Sequence, residues 1–354
     1  MTNNEKKRIL ITGGYGFIGS CLTRTLLTNQ NVEVANIDKL TYSSNINSVK
    51  VQNNQKNYHF YEEDICNKEN IRKIINLFKP TQVIHLAAET HVDRSIDGPE
   101  IFINSNIFGT YNLINNLKNY WDTLDLPIKE KFKILLVSTD EVYGSLSPNE
   151  DSFTEESSYV PNSPYSASKA ASDHIGRAWY STYNMPIIIT NTSNNYGPWQ
   201  FPEKLIPLTI LKCLKKEKIP IFGNGEQIRD WIFVNDHVDG LLHTLNNGKI
   251  GEKYNIGSNN EKKNIEVVCD ICNILDDLIP ENKPYSDLIE FVDDRPGHDY
   301  RYALNTKKIG KLGWKSKYNW NQGLLETVNW YLNNKDFLNK QSSKFYSGER
   351  LGKI

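Results

Sequence analysis

The chain has 354 residues, enough for one large α/β domain or for a nucleotide-binding domain with a smaller companion. Its 41 Lys and Arg residues balance 42 Asp and Glu, so no net field selects nucleic acid or an anionic membrane surface as a partner. Five scattered cysteines argue for a reducing compartment, the polar start Met1–Arg8 has no apolar leader, and no apolar run reaches the roughly 18 residues of a spanning helix. A soluble, cytoplasmic protein is expected.

Short β-branched runs at 8–12, 32–37, 58–61, 82–85, 133–138 and 186–191 read as strands. They alternate with helical-period segments at 17–27, 68–78, 101–117 and 164–183. This βαβα order predicts a doubly wound parallel sheet with helices on both faces. Beyond Asn195 the pattern is punctuated by Pro198, Pro202, Pro207, Pro220 and a Gly223-Asn224-Gly225 turn, which predicts a smaller mixed α/β C-terminal lobe. The expected division is a first domain over 1–195, a substrate lobe over 196–340 and a tail over 341–354. A strand at 231–234 and a helix at 236–245 would let about 229–258 rejoin the first domain. Cys269 and Cys272 form a C-x-x-C inside a helical pattern with no second ligand pair nearby, so helix packing is expected and no metal site.

Gly13-Gly14-Tyr15-Gly16-Phe17-Ile18-Gly19 follows a strand and opens a helix. Glycines 13, 16 and 19 fall where backbone must approach a pyrophosphate, with helix N–H groups facing it. A tight strand-to-helix turn needs glycine as well, so three further features matter. Asp38 ends the second strand, where a carboxylate accepts both ribose hydroxyls and repels a 2′-phosphate, favouring NAD over NADP. Asp64-Ile65 follows the third strand, where the acid can reach an adenine amino group or simply cap the next helix. Ala87 and Ala88 after the fourth strand let backbone pass beneath a cofactor. Together these predict a Rossmann-type NAD site.

Tyr165-Ser166-Ala167-Ser168-Lys169 places a phenol and an ammonium four residues apart at the start of a helix, on one face. Lys169 is expected to depress the Tyr165 pKa from its ordinary ~10, so that the phenolate accepts an alcohol proton while hydride leaves. Placed after the fifth strand of a dinucleotide fold, the motif resembles that of the short-chain dehydrogenase/reductase family in its extended, sugar-nucleotide branch. The resemblance covers nearly the whole chain. It implies that Thr139, in Ser138-Thr139-Asp140-Glu141-Val142-Tyr143-Gly144, hydrogen-bonds the reacting hydroxyl.

Asp140 and Glu141 are paired carboxylates leaving a strand end, which an epimerase does not need. Eliminating water needs a base for the C5 proton of a 4-keto sugar and an acid for the departing C6 hydroxyl; close carboxylates separate their pKa values in that sense. By resemblance to the dehydratases, Asp140 is the acid and Glu141 the base. A 4-epimerase or decarboxylase on the same fold would leave Asp140 idle. A non-catalytic NAD-binding scaffold would be expected to have lost Tyr165 or Lys169.

The stretches Asn36–Tyr42, His91–Ile96, Ser193–Pro198, Pro202–Pro207, Gln227–Trp231, Asn260–Asn264 and Asp294–Asp299 are similar to the dTDP-glucose 4,6-dehydratases in particular. That resemblance implies a hydro-lyase acting on a nucleoside-diphosphate glucose. It implies that Phe17, Ile18, Lys39, Leu40, Thr41, Leu86, Thr90, Ser105 and Asn195 join the glycines around NAD. It further implies that His91, Asn194, Glu203, Lys204, Leu205, Asn264 and His298 line the sugar nucleotide, with Pro220, Ile221 and Phe222 flanking its base and Tyr346 closing over it. Arg229 and Arg295 are assigned to the diphosphate, since a guanidinium bridges two phosphate oxygens. Phe222 stands where Tyr is common in the family, which leaves thymine against uracil open; one methyl is worth ~1–3 kcal/mol. By the same resemblance the 101–117 and 164–183 helices pair with their copies in a homodimer.

Overall fold

Consecutive apolar positions such as Ile9-Leu10-Ile11 and Ile134-Leu135-Leu136 suit strands buried on both faces. In a computed structural model, which describes residues 6–49 and 56–339, such runs form β1 (Lys7–Thr12), β2 (Val32–Asp38), β3 (Tyr58–Glu62), β4 (Gln82–His85), β5 (Lys133–Thr139) and β6 (Ile187–Thr192). Shorter strands follow: β7 (Asn194–Tyr196), β8 (Ile219–Phe222), β9 (Ile228–Phe233), β10 (Lys253–Ile256), β11 (Glu261–Lys263) and β12 (Ile289–Val292). Seven strands make one sheet in the order β10-β6-β5-β4-β1-β2-β3, every pair parallel. The strand order reverses beside β1, and a crevice at the carboxyl ends of β1 and β4 is the place where such sheets take ligands.

Apolar layers cover both faces. On one, the Phe17–Leu27 and Val234–Asn247 helices pack Leu22, Leu26, Val238 and Leu241 over the sheet. On the other, the Lys68–Phe78 helix buries Ile71, Ile74, Ile75 and Phe78, the i, i+3, i+4, i+7 face that its sequence spells, beside Leu113 and Leu117 of the Gly109–Asp122 helix.

The helix expected over 101–117 begins at Pro99, runs to Asp122 and contains a π-helical turn at Ile103–Phe108. The extra residue in that turn lets neighbours Ser105 and Asn106 both face inward, a recurrent device beside functional sites. Asn106 then bonds the Glu89 backbone on both sides, at 2.8 and 3.0 Å, and Ser168 at 2.8 Å.

The smaller lobe has a three-stranded sheet, β11-β9-β7, and the pair β12-β8. Its core is aromatic, with Tyr196, Trp231, Phe233, Trp320 and Tyr331, and Cys272 packs within it. The segment around 229–258 divides between the lobes. β9 pairs with β7 and β11, whereas the 234–247 helix packs on the 17–27 helix and β10 extends the large sheet beside β6. Among the described residues no helix is long and apolar enough to cross a membrane.

Candidate active site

At the end of β1, Gly13 turns the chain with φ +75°, a region open to glycine. A Cβ there would lie 2.8 Å from the Ala87 nitrogen, and one on Gly19 would overlap the Gly13 carbonyl oxygen. β2 pins this loop: Gly14 N–H donates to Asn36 Oδ1 at 2.8 Å and Tyr15 N–H to Asp38 Oδ2 at 2.9 Å. Asp38 Oδ1 also accepts from Leu40 N–H and the Ser44 hydroxyl, each at 2.9 Å. Beneath the loop, buried His85 sits between Thr12 (2.6 Å) and Thr110 (2.9 Å), and burial pushes its pKa down to about 3.

One cavity joins the two halves of the expected site. Gly13, Gly16, Phe17, Ile18, Gly19, Asp38, Lys39, Thr41, Ile65, Leu86, Ala87, Ala88, Thr90, Ser105 and Asn195 line it, together with Thr139, Asp140, Glu141, Tyr165, Lys169, Asn194, Glu203 and Lys204. Leu40 and Asp64 are outside this lining. Asp64 takes its alternative role, accepting from Cys66 N–H at 2.9 Å and pairing with Lys39 at 3.5 Å. Lys39 also bonds Ser105 at 3.1 Å and faces Glu89 at 3.7 Å, so carboxylates answer its charge. A glycine cradle that a Cβ would fill, a carboxylate at the end of β2 and a neutralised Lys39 fit NAD, and fit poorly a cofactor carrying a 2′-phosphate.

Ser163 caps the Pro164–Tyr183 helix in a reciprocal box with Ser166, with Pro164 opening its first turn. This aims Tyr165 and Lys169 from the helix start into the cavity. Lys169 Nζ donates to the Val137 carbonyl at 2.9 Å. Buried Asp173, one turn further along the same face, opposes its charge and is itself held by Tyr159 (2.8 Å) and Asn191 (3.1 Å). The spacing Tyr165, Lys169, Asp173 was visible in the sequence and is the signal that would have singled out Asp173.

The expected lowering of the Tyr165 pKa is corrected by the structure. Burial raises it well above the ordinary phenol value, and the nearby Glu141 charge adds to the rise; the Thr139 hydroxyl opposes both. Lys169, bonded to a backbone carbonyl and faced by Asp173, does not reverse that balance.

Asp140 and Glu141 leave β5 in different settings. Asp140 is 1% exposed. Burial drives its pKa well above the carboxylate range, and Glu141 and Asp230 push it further. Its Oδ1 accepts from Thr139 at 3.2 Å, while Oδ2 is buried without a protein partner. Glu141 is also raised by burial, but Arg295, Arg229 and Lys204 pull it back. The pair is therefore split, with Asp140 the group that keeps its proton. Asp230, fixed by Asn260 N–H at 2.6 Å, is a contributor that the sequence did not single out.

Several substrate-side expectations fall elsewhere. Arg229 is buried over the Tyr302 ring at 4.2 Å and donates to the carbonyls of Ile228 (2.8 Å), Asp299 (2.9 Å) and Tyr300 (3.2 Å). Arg295 pairs with Asp93 across the lobes at 2.9 Å, leaving its buried Nε unpartnered. Both stay within Coulombic reach of Glu141. His91 is buried 3.9 Å from Glu203, and His298 bonds Asp294 at 2.6 Å with its pKa pushed down to about 4 by burial and Arg295. Pro220, Ile221 and Phe222 form β8 against β12, Leu205 and Asn264 open helices, and none of these lines the cavity. Tyr346 lies outside the described residues. Gln200 and Phe201 line the cavity without having been anticipated.

Known proteins share both the sequence and this architecture. Residues 10–327 match the family model described as GDP-mannose 4,6 dehydratase. The chain is 51% identical over 346 residues to the probable dTDP-glucose 4,6-dehydratase of Sinorhizobium fredii, with 98% of each chain covered. The chain belongs to the 4,6-dehydratase family. A dTDP-glucose 4,6-dehydratase from Bacillus anthracis, solved in complex with NAD, matches this 4,6-dehydratase fold with a TM-score of 0.84 at 42% identity, over 95% of this chain and 99% of that one. One from Streptomyces venezuelae with NAD bound matches at 0.86 and 36% identity, over 94% and 99%.

Proposed function

We infer that this chain is a hydro-lyase that converts dTDP-glucose to its 4-keto-6-deoxy form with the help of bound NAD. The observation that carries this reading is the split pair Asp140–Glu141 beside Tyr165, at the mouth of a glycine cradle.

Bound NAD supplies the acceptor for the C4 hydride and returns it to C6, so no net redox change results. Tyr165 takes the C4 hydroxyl proton, and Thr139 orients that hydroxyl. Glu141 removes the C5 proton, Asp140 protonates the departing C6 hydroxyl, and Glu141 gives its proton back at C5. A protonated Asp140 at neutral pH suits donation, and the cations around Glu141 suit acceptance. Asp38 is placed for the adenosine ribose, while Lys204, Arg229 and Arg295 bring positive charge to the diphosphate end.

Exposed apolar side chains at Ile103, Phe108 and Tyr111 support pairing of this helix with its copy in a homodimer, which light scattering tests. Five free cysteines suit a cytoplasmic setting.

Incubation with dTDP-glucose and UDP-glucose separately, without added reductant, tests the activity. Loss of one water by mass spectrometry, faster with the thymidine nucleotide, is expected. An unchanged mass with epimerised sugar would place the chain with the epimerases and leave Asp140 and Glu141 without a role.

A further inference from the structure

The reaction inferred above leaves the site out of balance by one proton. The C4 hydroxyl gives its proton to Tyr165, and C4 ends as a ketone, so that proton is never returned. Asp140 loses its proton to the leaving hydroxyl, which departs as water. Glu141 takes a proton from C5 and restores it there. After one turnover Tyr165 therefore holds one proton too many and Asp140 one too few.

We propose that the Thr139 hydroxyl resets the site by relaying this proton from Tyr165 to Asp140. The Tyr165 O–H bond breaks as a Thr139 O–H bond forms, and the original Thr139 O–H bond breaks as Asp140 gains its carboxyl proton. No oxidant, reductant or external acid is consumed.

The geometry already has the required direction. Thr139 Oγ1 donates to Asp140 Oδ1 at 3.2 Å and accepts from Glu141 N–H at 3.3 Å. A hydroxyl has one proton to give and two sites to accept with, and the remaining site is within hydrogen-bonding reach of the Tyr165 phenol. The chain thus runs from Tyr165 through Thr139 to Asp140. Thr139 is 8% exposed, Tyr165 7% and Asp140 1%, so bulk water has poor access to either end. The raised pKa of Asp140 supplies the driving force toward it. Oδ1 receives the proton while Oδ2, free of protein partners, faces the cavity contents; a turn of the carboxyl about Cβ–Cγ exchanges them.

The test compares one turnover with many. In Thr139→Val the first turnover, with enzyme in excess, should outrun the steady-state rate by about a hundredfold, the low end of what a positioned proton transfer contributes. That steady-state rate should climb with imidazole buffer concentration at fixed pH and ionic strength. Wild type and Thr139→Ser should show neither the gap nor the buffer dependence. Equal first and later rates in Thr139→Val, or a gap that buffer does not close, would overturn the relay. A second measurement holds even for an inactive valine variant. In weak buffer with a pH indicator, a single wild-type turnover should show no transient proton release or uptake, and such a transient would also overturn the relay. A wild type that never dehydrates dTDP-glucose sinks the inferred reaction itself, which the first-turnover product distinguishes from failure of the relay.

Discussion

The cofactor cradle and the substrate side of the same cavity are built from different materials. The cradle is made of backbone and neutral groups: glycines, two alanines, and a histidine that burial keeps uncharged. The substrate side is made of buried ions tied across the lobes, with Glu203 beside Arg94, Asp93 on Arg295, and Asp140 against Glu141 and Asp230. Shape holds the first, and charge sets the second. Packing errors should therefore disable the cradle, and charge errors the chemistry.

The largest effect is expected on the charge side. Asp140→Asn keeps shape and hydrogen-bonding oxygen but loses the transferable proton, so kcat should fall about 10²–10⁴-fold while NAD content stays unchanged. A kcat within tenfold of wild type would remove Asp140 from the acid role. On the shape side, Gly19→Ala forces a methyl against the Gly13 carbonyl and should cost ~1–3 kcal/mol of stability. Protein purified with its normal NAD content would show that the loop yields instead.

His85 and His237 extend the contrast to pH. Both are fully buried, with pKa values pushed down to about 3. The unfolded chain, titrating near ~6.5, then binds more protons than the folded one between the two values. Their contribution is complete above the unfolded value and is lost as pH falls toward about 3, at ~1.4 kcal/mol per pH unit for each histidine. Urea midpoints at pH 7 and 5 measure this, and replacing His237 with Leu should flatten the slope by about one proton. The smallest effect is expected at Lys39, where partly exposed ion pairs are worth ~0–1 kcal/mol. Lys39→Gln should change NAD affinity by less than about fivefold, and a larger loss by calorimetry would move this residue to the charge-built side.

The same contrast decides what the sequence disclosed. Glycines 13, 16 and 19 and the apolar runs of β1, β5 and β6 are local signals, so the sheet and the cradle were legible almost residue by residue. The π-helical turn was not, because it depends on Asn106 meeting Glu89 and Ser168 from distant segments. Nor was the upward shift at Tyr165, which follows from burial and the arrival of Glu141. Arg229 is the instructive case: its residue type suggested a phosphate ligand, but backbone carbonyls at 228, 299 and 300 take three of its bonds. β7, β8, β11 and β12 are short and only partly buried, so their periodicity was too brief to mark them.

One strand pairing bears on how the chain is made. Lys253 pairs with Ile189 only after the β7, β8 and β9 segments have been threaded in between. During synthesis the edge of β6 therefore stays open, an apolar template for stray strands, until Ile256 leaves the ribosome. A nascent chain stalled at residue 195 should aggregate or hold a chaperone, and its protease resistance should appear only once β10 has emerged. The dinucleotide-binding half cannot be finished on its own, and no single cut separates it from the lobe that it serves.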